Sequence, residues 1–307
     1  MKAIIVGFGR IANTIAHDKK IASVFKYASH AQALSAHPDF DWIGIVDPAD
    51  GTTEAAAEWG IQVGQVEDFE DAEFATLAIP PGARLDIVKR LPNLKAVLIE
   101  KPVGDAEEFI EYCEGRGIDV TVNFWRRGVP FFQSMSEGTL IGKIQTVFCL
   151  YGNGLKNNGS HLIDFLHMLF GDVRSVTRIG ECETLQSLGC SGPMDDVSAT
   201  FVLEMDGFHI HCAPIDFNHY REVSVDIWGE SGRLSIMNES LNVGLSLMQP
   251  HRGMERQQEV SSEPMASTQP DVEMAFYNLY TSIAEGESLS PISEAVKTEK
   301  VLKGIIG

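Results

Sequence analysis

The first twelve residues of the chain constrain its fold more than any other stretch. Residues 3–6 form a continuous apolar run, which predicts a buried parallel strand. Gly7, Gly9 and Ala12 follow at the spacing G-x-G-x-x-A, and a helical pattern covers residues 11–25. Gly7 allows a tight turn, Gly9 lets the backbone approach a pyrophosphate, and Ala12 lets a helix pack closely on the strand. The pattern therefore predicts a dinucleotide-binding turn, with the phosphates at a helix N-terminus.

An acidic residue at the end of the next strand bears on which dinucleotide is bound. Asp47 closes the apolar strand at 42–46, where it can accept hydrogen bonds from the adenosine ribose and would repel a 2′-phosphate, which favours NAD. It lies further from the glycines than is usual, so the first crossover carries extra residues. Asp39 and Asp41 lie nearer to the glycines, but they precede the strand. The structural alternative for Asp47 is that it only forms the turn at the end of the strand. Arg10, in the glycine-rich turn, could instead bind a 2′-phosphate and keeps NADP open.

Strands and helices then alternate as far as Asn123, which predicts a doubly wound parallel sheet of the Rossmann type. Pro80 and the residues 100–102 each end a strand at its carboxyl end, where ligands bind in such sheets, so a site is expected there. Helices are predicted at 53–59, 83–91 and 106–114, and strands at 61–63, 74–79, 96–99 and 119–122.

After Asn123 strands dominate, which predicts a second, α+β domain with a large, mostly antiparallel open sheet. We expect domains at 1–123 and 124–307, with the C-terminal helix able to pack back on the first. The exposed face of such a sheet needs a cover, which favours a homodimer or homotetramer formed through it. Strands are predicted at 144–151, 173–179, 197–205, 208–212, 223–228 and 233–237, helices at 131–138, 160–170, 272–285 and 293–304, hairpin turns at 206–207 and 229–232, and a mobile loop at 249–270.

Composition excludes several classes of protein. The chain has 43 acidic and 24 basic residues, a net charge of -19, so nucleic acid and anionic membranes are improbable partners. The five cysteines are odd in number and contain no C-x-x-C, which argues against a disulfide framework and a zinc clasp. A strand that begins at residue 2, and apolar runs too short to span a bilayer, predict a cytoplasmic protein without a signal peptide or membrane anchor.

Four motifs together resemble the glucose-fructose oxidoreductase and inositol dehydrogenase family, often called Gfo/Idh/MocA. They are Gly-Phe-Gly-Arg-Ile-Ala at 7–12, Glu-Lys-Pro at 100–102, Asn-Phe-Trp-Arg-Arg at 123–127 and Gly-Ser-His-Leu-Ile-Asp at 159–164. Their order and spacing are more specific than any one motif, and the resemblance covers nearly the whole chain. It implies a Rossmann domain, a second domain with an open sheet, and oxidation or reduction of a sugar or cyclitol hydroxyl with a nicotinamide cofactor.

Lys101 and His161 are the candidate catalytic residues. Lys101 lies just past a strand end, with Pro102 restricting its loop, and the resemblance implies a catalytic or substrate-orienting role. His161 begins an apolar helix, where it can exchange a proton with a substrate hydroxyl, and the resemblance places a catalytic histidine there. Asp164 lies on the same helical face as His161. The sequence favours a substrate-binding role and a structural role for it equally. Asn157 stands where many family members carry aspartate and can position a substrate but cannot act as a base.

Further residues are expected at the substrate. Arg127, with Arg126 beside it, could bind an anionic group such as a nucleotide-sugar phosphate, or else form an ion pair between domains. Tyr151 and Lys156 flank the glycine-rich approach to His161 and are expected to line the pocket. No metal is expected, because the alternating histidines of the strand at 208–212 have no carboxylate partners in the sequence.

These observations predict an NAD-dependent dehydrogenase acting on a hydroxyl of a sugar, cyclitol or nucleotide sugar. One alternative is an NADP(H)-dependent reductase of a ketosugar or small carbonyl compound. Another is a non-catalytic dinucleotide-binding regulator or partner subunit, suggested by Asn157 and the enlarged crossover. The predicted cofactor contacts are Gly7, Phe8, Gly9, Arg10, Ile11, Ala12, Asp47, Pro80, Glu100 and Lys101, and the predicted substrate contacts are Asn157, Asp164, Arg127 and Tyr151.

Overall fold

The chain divides into two compact units. The computed structural model describes residues 1–135, 140–184, 196–219 and 221–307. The first unit consists of Met1–Val129 and Asp271–Val296, and the second of Pro130–Pro270 and Lys297–Gly307. The first unit thus extends beyond the expected boundary at 123/124 and takes in a segment from near the C-terminus.

A close backbone contact explains why the first unit extends past Asn123. A 3-10 turn at Trp125–Gly128 packs on the helix Ala275–Ala284, where Asn278 Nδ2 donates a hydrogen bond of 2.8 Å to Gly128 O. A Cβ atom at Gly128 would lie 2.2 Å from Ala275 O, so only glycine permits this approach. The contact joins residues far apart in sequence, which is why sequence patterns did not reveal it.

The first unit is built on a parallel sheet with the strand order β2-β1-β3-β4-β5. Its helices lie on both faces of the sheet and bury a separate apolar cluster against each. The doubly wound sheet of the prediction is therefore confirmed. The strands are β1 Lys2–Val6, β2 Asp41–Val46, β3 Phe74–Leu77, β4 Ala96–Ile99 and β5 Asp119–Val122.

The predicted strand at 61–63 is wrong, because only an isolated bridge joins Val63 to Ile45. A capping box at Gln65 starts a 3-10 turn at Val66–Phe69, so the chain leaves the sheet directly after the bridge. The sheet of this unit therefore ends at β2.

The α-helices number nine in the part of the chain that the structure describes, and most begin and end within a few residues of the predicted bounds. Two further 3-10 turns lie at Thr14–His17 and Val66–Phe69. The helices are α1 Lys19–Ala22, α2 His30–Ala36, α3 Thr52–Ala57, α4 Pro81–Arg90, α5 Glu107–Arg116, α6 Pro130–Met135, α7 Ser160–Phe170, α8 Ala275–Ala284 and α9 Ile292–Ile306. The last residues of the helix predicted at 131–138 lie outside the described residues.

The predicted helix at 11–25 is wrong, and the reason lies at Asn13. This residue is buried with φ −136° and ψ −66°, outside the helical region, and its Oδ1 accepts a hydrogen bond from Trp59 Nε1 at 3.0 Å. The helix that packs on the sheet is instead α2, which begins with a capping box formed by Ser29 and Gln32. The extra residues of the first crossover therefore lie between the glycine-rich turn and α2.

The second unit contains one nine-stranded sheet with the order β13-β12-β11-β10-β6-β9-β8-β7, in which β14 also pairs with β12. Among the described strands of this second sheet, only β6 and β9 pair in parallel, so the mostly antiparallel sheet of the prediction is confirmed. The strands are β6 Ile144–Tyr151, β7 Ser175–Thr184, β8 Val197–Glu204, β9 His209–Pro214, β10 Ser224–Gly229, β11 Gly232–Met237, β12 Asn242–Pro250, β13 Gln258–Val260 and β14 Ala266–Thr268.

The predicted loop at 249–270 is wrong, because it contains the end of β12 and the strands β13 and β14. These strands lie at the edge of the sheet and are mostly exposed, which accounts for their polar composition. The four described cysteines are free thiols, and Cys190 lies outside the described residues. Across the described ranges, no helix is long and apolar enough to cross a membrane.

Candidate functional site

The glycine-rich turn after β1 has a backbone that only its small residues allow. Gly7 adopts φ +85°, and a Cβ atom there would lie 2.5 Å from Ala78 O and 2.8 Å from Ile79 Cγ2. Gly9 is exposed, and a Cβ atom there would meet no protein atom within 4 Å, which leaves its backbone open to a ligand. Ala12 is completely buried. The turn therefore fits the diphosphate of a dinucleotide.

The segment after the turn differs from the expected phosphate-binding helix. Asn13 N donates to Gly9 O at 2.9 Å and closes one helical turn, after which the chain changes direction. Because a macrodipole needs several aligned turns, the backbone N–H groups of this loop, rather than a helix dipole, must provide most of the attraction for phosphate.

Asp47 lies directly beside the glycine-rich turn. It follows β2, and its Oδ2 accepts a hydrogen bond from Phe8 N at 2.6 Å, while its Oδ1 accepts one from Ala49 N at 2.8 Å. Arg10 is exposed and forms no ion pair within the described ranges. The structure thus places a carboxylate beside the turn and exposes the Arg10 guanidinium.

The loop that carries Lys101 is held from both sides by a buried arginine. Lys101 is half-buried just past β4 and is joined to Pro102 by a cis peptide bond. Arg84, on α4 and only 2% exposed, donates from one guanidinium nitrogen to Glu100 O at 2.6 Å and from another to Val103 O at 3.4 Å. The guanidinium therefore ties together the residues on either side of the Lys101–Pro102 pair.

Glu100 is anchored by side chains from two other elements. Its Oε1 lies 2.8 Å from His30 Nε2 and 2.6 Å from Asn123 Nδ2, and its side chain is 14% exposed. Pro80, in contrast, is exposed at the N-terminus of α4. His30 and Arg84 belong to none of the four sequence motifs, although the S-x-x-Q spacing of Ser29 to Gln32 is a signal for the start of α2.

The two arginines after β5 are buried within the first unit. Arg127 forms an ion pair with Glu294, with 3.4 Å between the guanidinium and carboxylate atoms, and Arg126 stacks on Trp125 with 4.5 Å from its guanidinium carbon to the ring centroid. An ion pair at Arg127, the structural alternative of the sequence analysis, is therefore present, and both of its partners belong to the first unit.

In the second unit, a buried carboxylate holds the segment that leads to His161. A π-helix at Gly154–Gly159 runs directly into α7. Asp196, 1% exposed at the start of β8, accepts a hydrogen bond from Lys156 N at 2.9 Å on one oxygen and from Asn157 N at 3.0 Å on the other. The backbone that carries Asn157 is thereby fixed by an acid that the sequence pattern did not reveal.

His161 and Asp164 lie in the first turns of α7, which has the predicted bounds. His161 is half-buried and Asp164 is buried. With Asn157 half-buried just before them, the second unit collects three of the predicted polar residues within two turns of helix.

Tyr151, which was predicted to line the substrate pocket, is bonded within the core of the second unit. Its side chain is completely buried, and its hydroxyl donates to Ala199 O at 2.6 Å and accepts from Ala199 N at 2.9 Å. Burial raises the pKa of the Tyr151 phenol far above its usual range. Because β6 and β8 are not neighbours in the sheet, this tyrosine serves to tie strands together.

The alternating histidines of β9 lie on the exposed face of the second sheet. The ring of His211 stacks on Phe148, with 5.1 Å between the ring centroids. Within the described part of the chain, no three side chains of the types that bind metals come together.

No protein-family model and no curated protein sequence matches the chain. Solved structures match over nearly its whole length. A dehydrogenase, MviM, from Clostridium difficile is 16% identical with a TM-score of 0.70, and the match covers 99% of this chain and 97% of that one. An oxidoreductase from Agrobacterium radiobacter, in complex with NAD+, L-tartaric acid and magnesium, is 14% identical with a TM-score of 0.70, covering 99% and 95%. The transcriptional regulator Gal80p from Kluyveromyces lactis is 15% identical with a TM-score of 0.70, covering 99% and 88%.

These similarities define the class of fold. The chain has the fold of the Gfo/Idh/MocA proteins, as its four motifs predict. At such low identities the comparison establishes the fold alone. Because dehydrogenases and a transcriptional regulator both have this fold, the activity must be argued from the residues of the site.

Proposed function

We propose that this protein is a Gfo/Idh/MocA-family dehydrogenase that uses NAD and acts on a hydroxyl of a sugar, cyclitol or nucleotide sugar. The observation that carries the proposal is the contact between Asp47 Oδ2 and Phe8 N, which sets a carboxylate beside an open glycine-rich turn. We assign the ribose contact to this carboxylate. The oxidoreductase from Agrobacterium radiobacter that shares this fold was solved in complex with NAD+, which supports a cofactor of this class.

The proposed mechanism assigns proton transfer to Lys101 and His161. A bound nicotinamide supplies the hydride acceptor or donor. The loop of Lys101 is held by Arg84, and His161 lies in the first turn of α7, so each side chain is carried by a well-ordered backbone within its own unit. Asn157 and Asp164 position the hydroxyls of the ring. Arg127 binds an anionic group of the substrate in exchange for part of its contact with Glu294.

Two alternatives rest on particular observations. The exposed guanidinium of Arg10 favours an NADP(H)-dependent reductase of a ketosugar or small carbonyl compound. The amide of Asn157, which cannot accept a proton at neutral pH, together with the fold of Gal80p, favours a non-catalytic dinucleotide-binding regulator.

A substrate panel that follows the absorbance of reduced nicotinamide tests the proposal. Free sugars, inositols and nucleotide sugars are assayed with NAD and NADP, and both cofactors are titrated against tryptophan fluorescence. Lys101→Met should abolish turnover while dinucleotide affinity stays the same, and Lys95→Met, which removes an exposed lysine paired with Glu73, is the matched control. Turnover that survives in Lys101→Met contradicts the mechanism, and tight NAD binding with no turnover of any substrate favours the regulator.

We further propose that the protein forms homo-oligomers through the outer face of its second sheet. Phe148 and Leu150 on β6 are 49% and 40% exposed, and they alternate with the buried Val147, Cys149 and Tyr151. A second copy that covers these apolar side chains removes them from water, and this burial stabilises the oligomer.

A further inference from the structure

The N-terminus of α2 contacts the glycine-rich turn through its backbone. His30 N donates to Ile11 O at 3.3 Å, and Ala31 N donates to Ala12 O at 2.9 Å. The first residues of α2 thereby use N–H groups that have no partner within the helix to hold the cofactor-binding segment.

The side chain of His30 reaches in the other direction, toward the loop of Lys101. His30 Nε2 lies 2.8 Å from Glu100 Oε1, and His30 Nδ1 lies 3.0 Å from the hydroxyl of Tyr280. That hydroxyl in turn lies 2.9 Å from Thr76 Oγ1. The side chains of His30, Tyr280 and Thr76 are completely buried. One residue thus connects the glycine-rich turn to the residue that precedes Lys101.

The donors and acceptors of this chain can be assigned. Glu100 Oε1 accepts from the amide of Asn123 at 2.6 Å, so His30 Nε2 is its second donor. In the neutral ring, Nδ1 is then the acceptor for the Tyr280 hydroxyl, whose oxygen accepts from Thr76. Each link from Thr76 to Glu100 then carries one hydrogen, which defines the orientation of the imidazole.

We infer that His30 is a positioning residue for Lys101, which it controls through Glu100, and that it couples the cofactor-binding turn to the proton-transfer loop. The inference rests on the proposed function for its consequence in catalysis. Arg84 holds the main chain on both sides of Lys101, but the side chain of Glu100 is held by His30 and Asn123. Loss of the imidazole removes one of the two donors that hold Glu100, which loosens its side chain and displaces the amine of Lys101, and small displacements of a reacting group lower turnover steeply.

Three variants separate this role from general packing. His30→Leu keeps much of the volume and removes both hydrogen bonds, whereas His30→Gln can still donate to Glu100. His37→Leu is the matched control, since His37 is also a buried histidine of the α2 segment but contacts Thr281 and Tyr277 instead of Glu100. We expect His30→Leu to lower kcat at least about tenfold with little change in the affinity for NAD, His30→Gln to recover most of kcat, and His37→Leu to keep it.

A second measurement does not depend on turnover. The amine of Lys101 is labelled by reductive methylation with 13C-formaldehyde, and its pKa and rate of labelling are measured by NMR and mass spectrometry with and without NAD. His30→Leu should change the labelling of Lys101 and abolish its response to NAD, while His37→Leu should match the unmodified sequence. If His30→Leu folds, as judged by circular dichroism, and leaves labelling unchanged, the inference is overturned. If labelling changes as expected but no substrate is turned over by the unmodified protein, the positioning role stands and the proposed dehydrogenase activity fails.

Discussion

Asp47 Oδ2 accepts a hydrogen bond of 2.6 Å from Phe8 N, so the end of β2 and the glycine-rich turn are directly joined. In the proposed function, the negative charge at this point attracts ribose hydroxyls and repels a 2′-phosphate. The contact therefore links the geometry of the turn to the choice between NAD and NADP.

The first prediction concerns that choice. Asp47→Asn removes the charge but keeps the size of the side chain, and we expect the affinity for NAD to fall about tenfold while the affinity for NADP falls less or rises. Fluorescence titrations with both cofactors measure the change. Asp41→Asn removes an acid from the opposite end of the same strand and serves as the control. An unchanged ratio of the two affinities in Asp47→Asn would refute the assignment of Asp47.

The second prediction compares two glycines of one turn. Gly7→Ala introduces a Cβ atom 2.5 Å from Ala78 O at φ +85°, and the strain should lower the free energy of unfolding by about 1–3 kcal/mol. Gly9→Ala meets no protein atom within 4 Å and should leave stability unchanged while it weakens dinucleotide binding. Urea unfolding and cofactor titration measure the two effects. Equal binding by Gly9→Ala and the unmodified protein would show that phosphate does not approach this backbone.

The third prediction concerns stability against pH. Burial lowers the pKa of His37 below its ordinary value of 6.5, an effect that outweighs the opposite influence of the carboxylates of Asp39 and Glu285. The folded state thus binds the proton less well than the unfolded state, so the contribution of neutral His37 to stability is complete above pH 6.5 and declines as the pH falls below it. Urea unfolding across this range should show a smaller loss for His37→Gln than for the unmodified protein. Identical slopes for the two proteins would contradict the assignment.

The fourth prediction concerns assembly. Phe148→Glu places a charge on the outer face of the second sheet and should convert the proposed oligomer to monomers, as measured by light scattering coupled to size-exclusion chromatography. Met254→Glu alters an exposed apolar residue outside the strands of that face and should keep the oligomer. A protein that has the same mass with and without the substitution at Phe148 does not assemble through this face.

Much of the fold could be predicted from the sequence because its signals are local. The strands at Ala96–Ile99, Asp119–Val122 and Ile144–Tyr151 and the helix at Ser160–Phe170 have their predicted bounds, since each is a run of apolar residues with one clear period. The predicted helix after Ala12 fails because of a contact between residues that are distant in sequence. Periodicity alone suggested a helix after Ala12, but the side chain of Asn13 binds Trp59 and the backbone bends there.

In the candidate site, too, the residues in continuous motifs could be predicted, and those that act through distant contacts could not. Gly7, Gly9 and Ala12, with Lys101, His161 and Asp164, were identified because their motifs are continuous in sequence. His30, Arg84 and Asp196 were missed because each acts on a residue far along the chain, and the apolar neighbourhood of Tyr151 does not reveal that its hydroxyl binds Ala199.

The sequence itself determined the glycine-rich turn, the alternation of strands and helices and the candidates for proton transfer. Each of these depends on residues that lie within a few positions of one another. Only the tertiary structure decided which groups hold Lys101 and the backbone of Asn157. It also decided which strand end lies beside the glycine-rich turn. Hydrogen bonds between distant residues, such as that of His30 with Glu100, require the folded sheet to bring their partners together, and no local pattern records them.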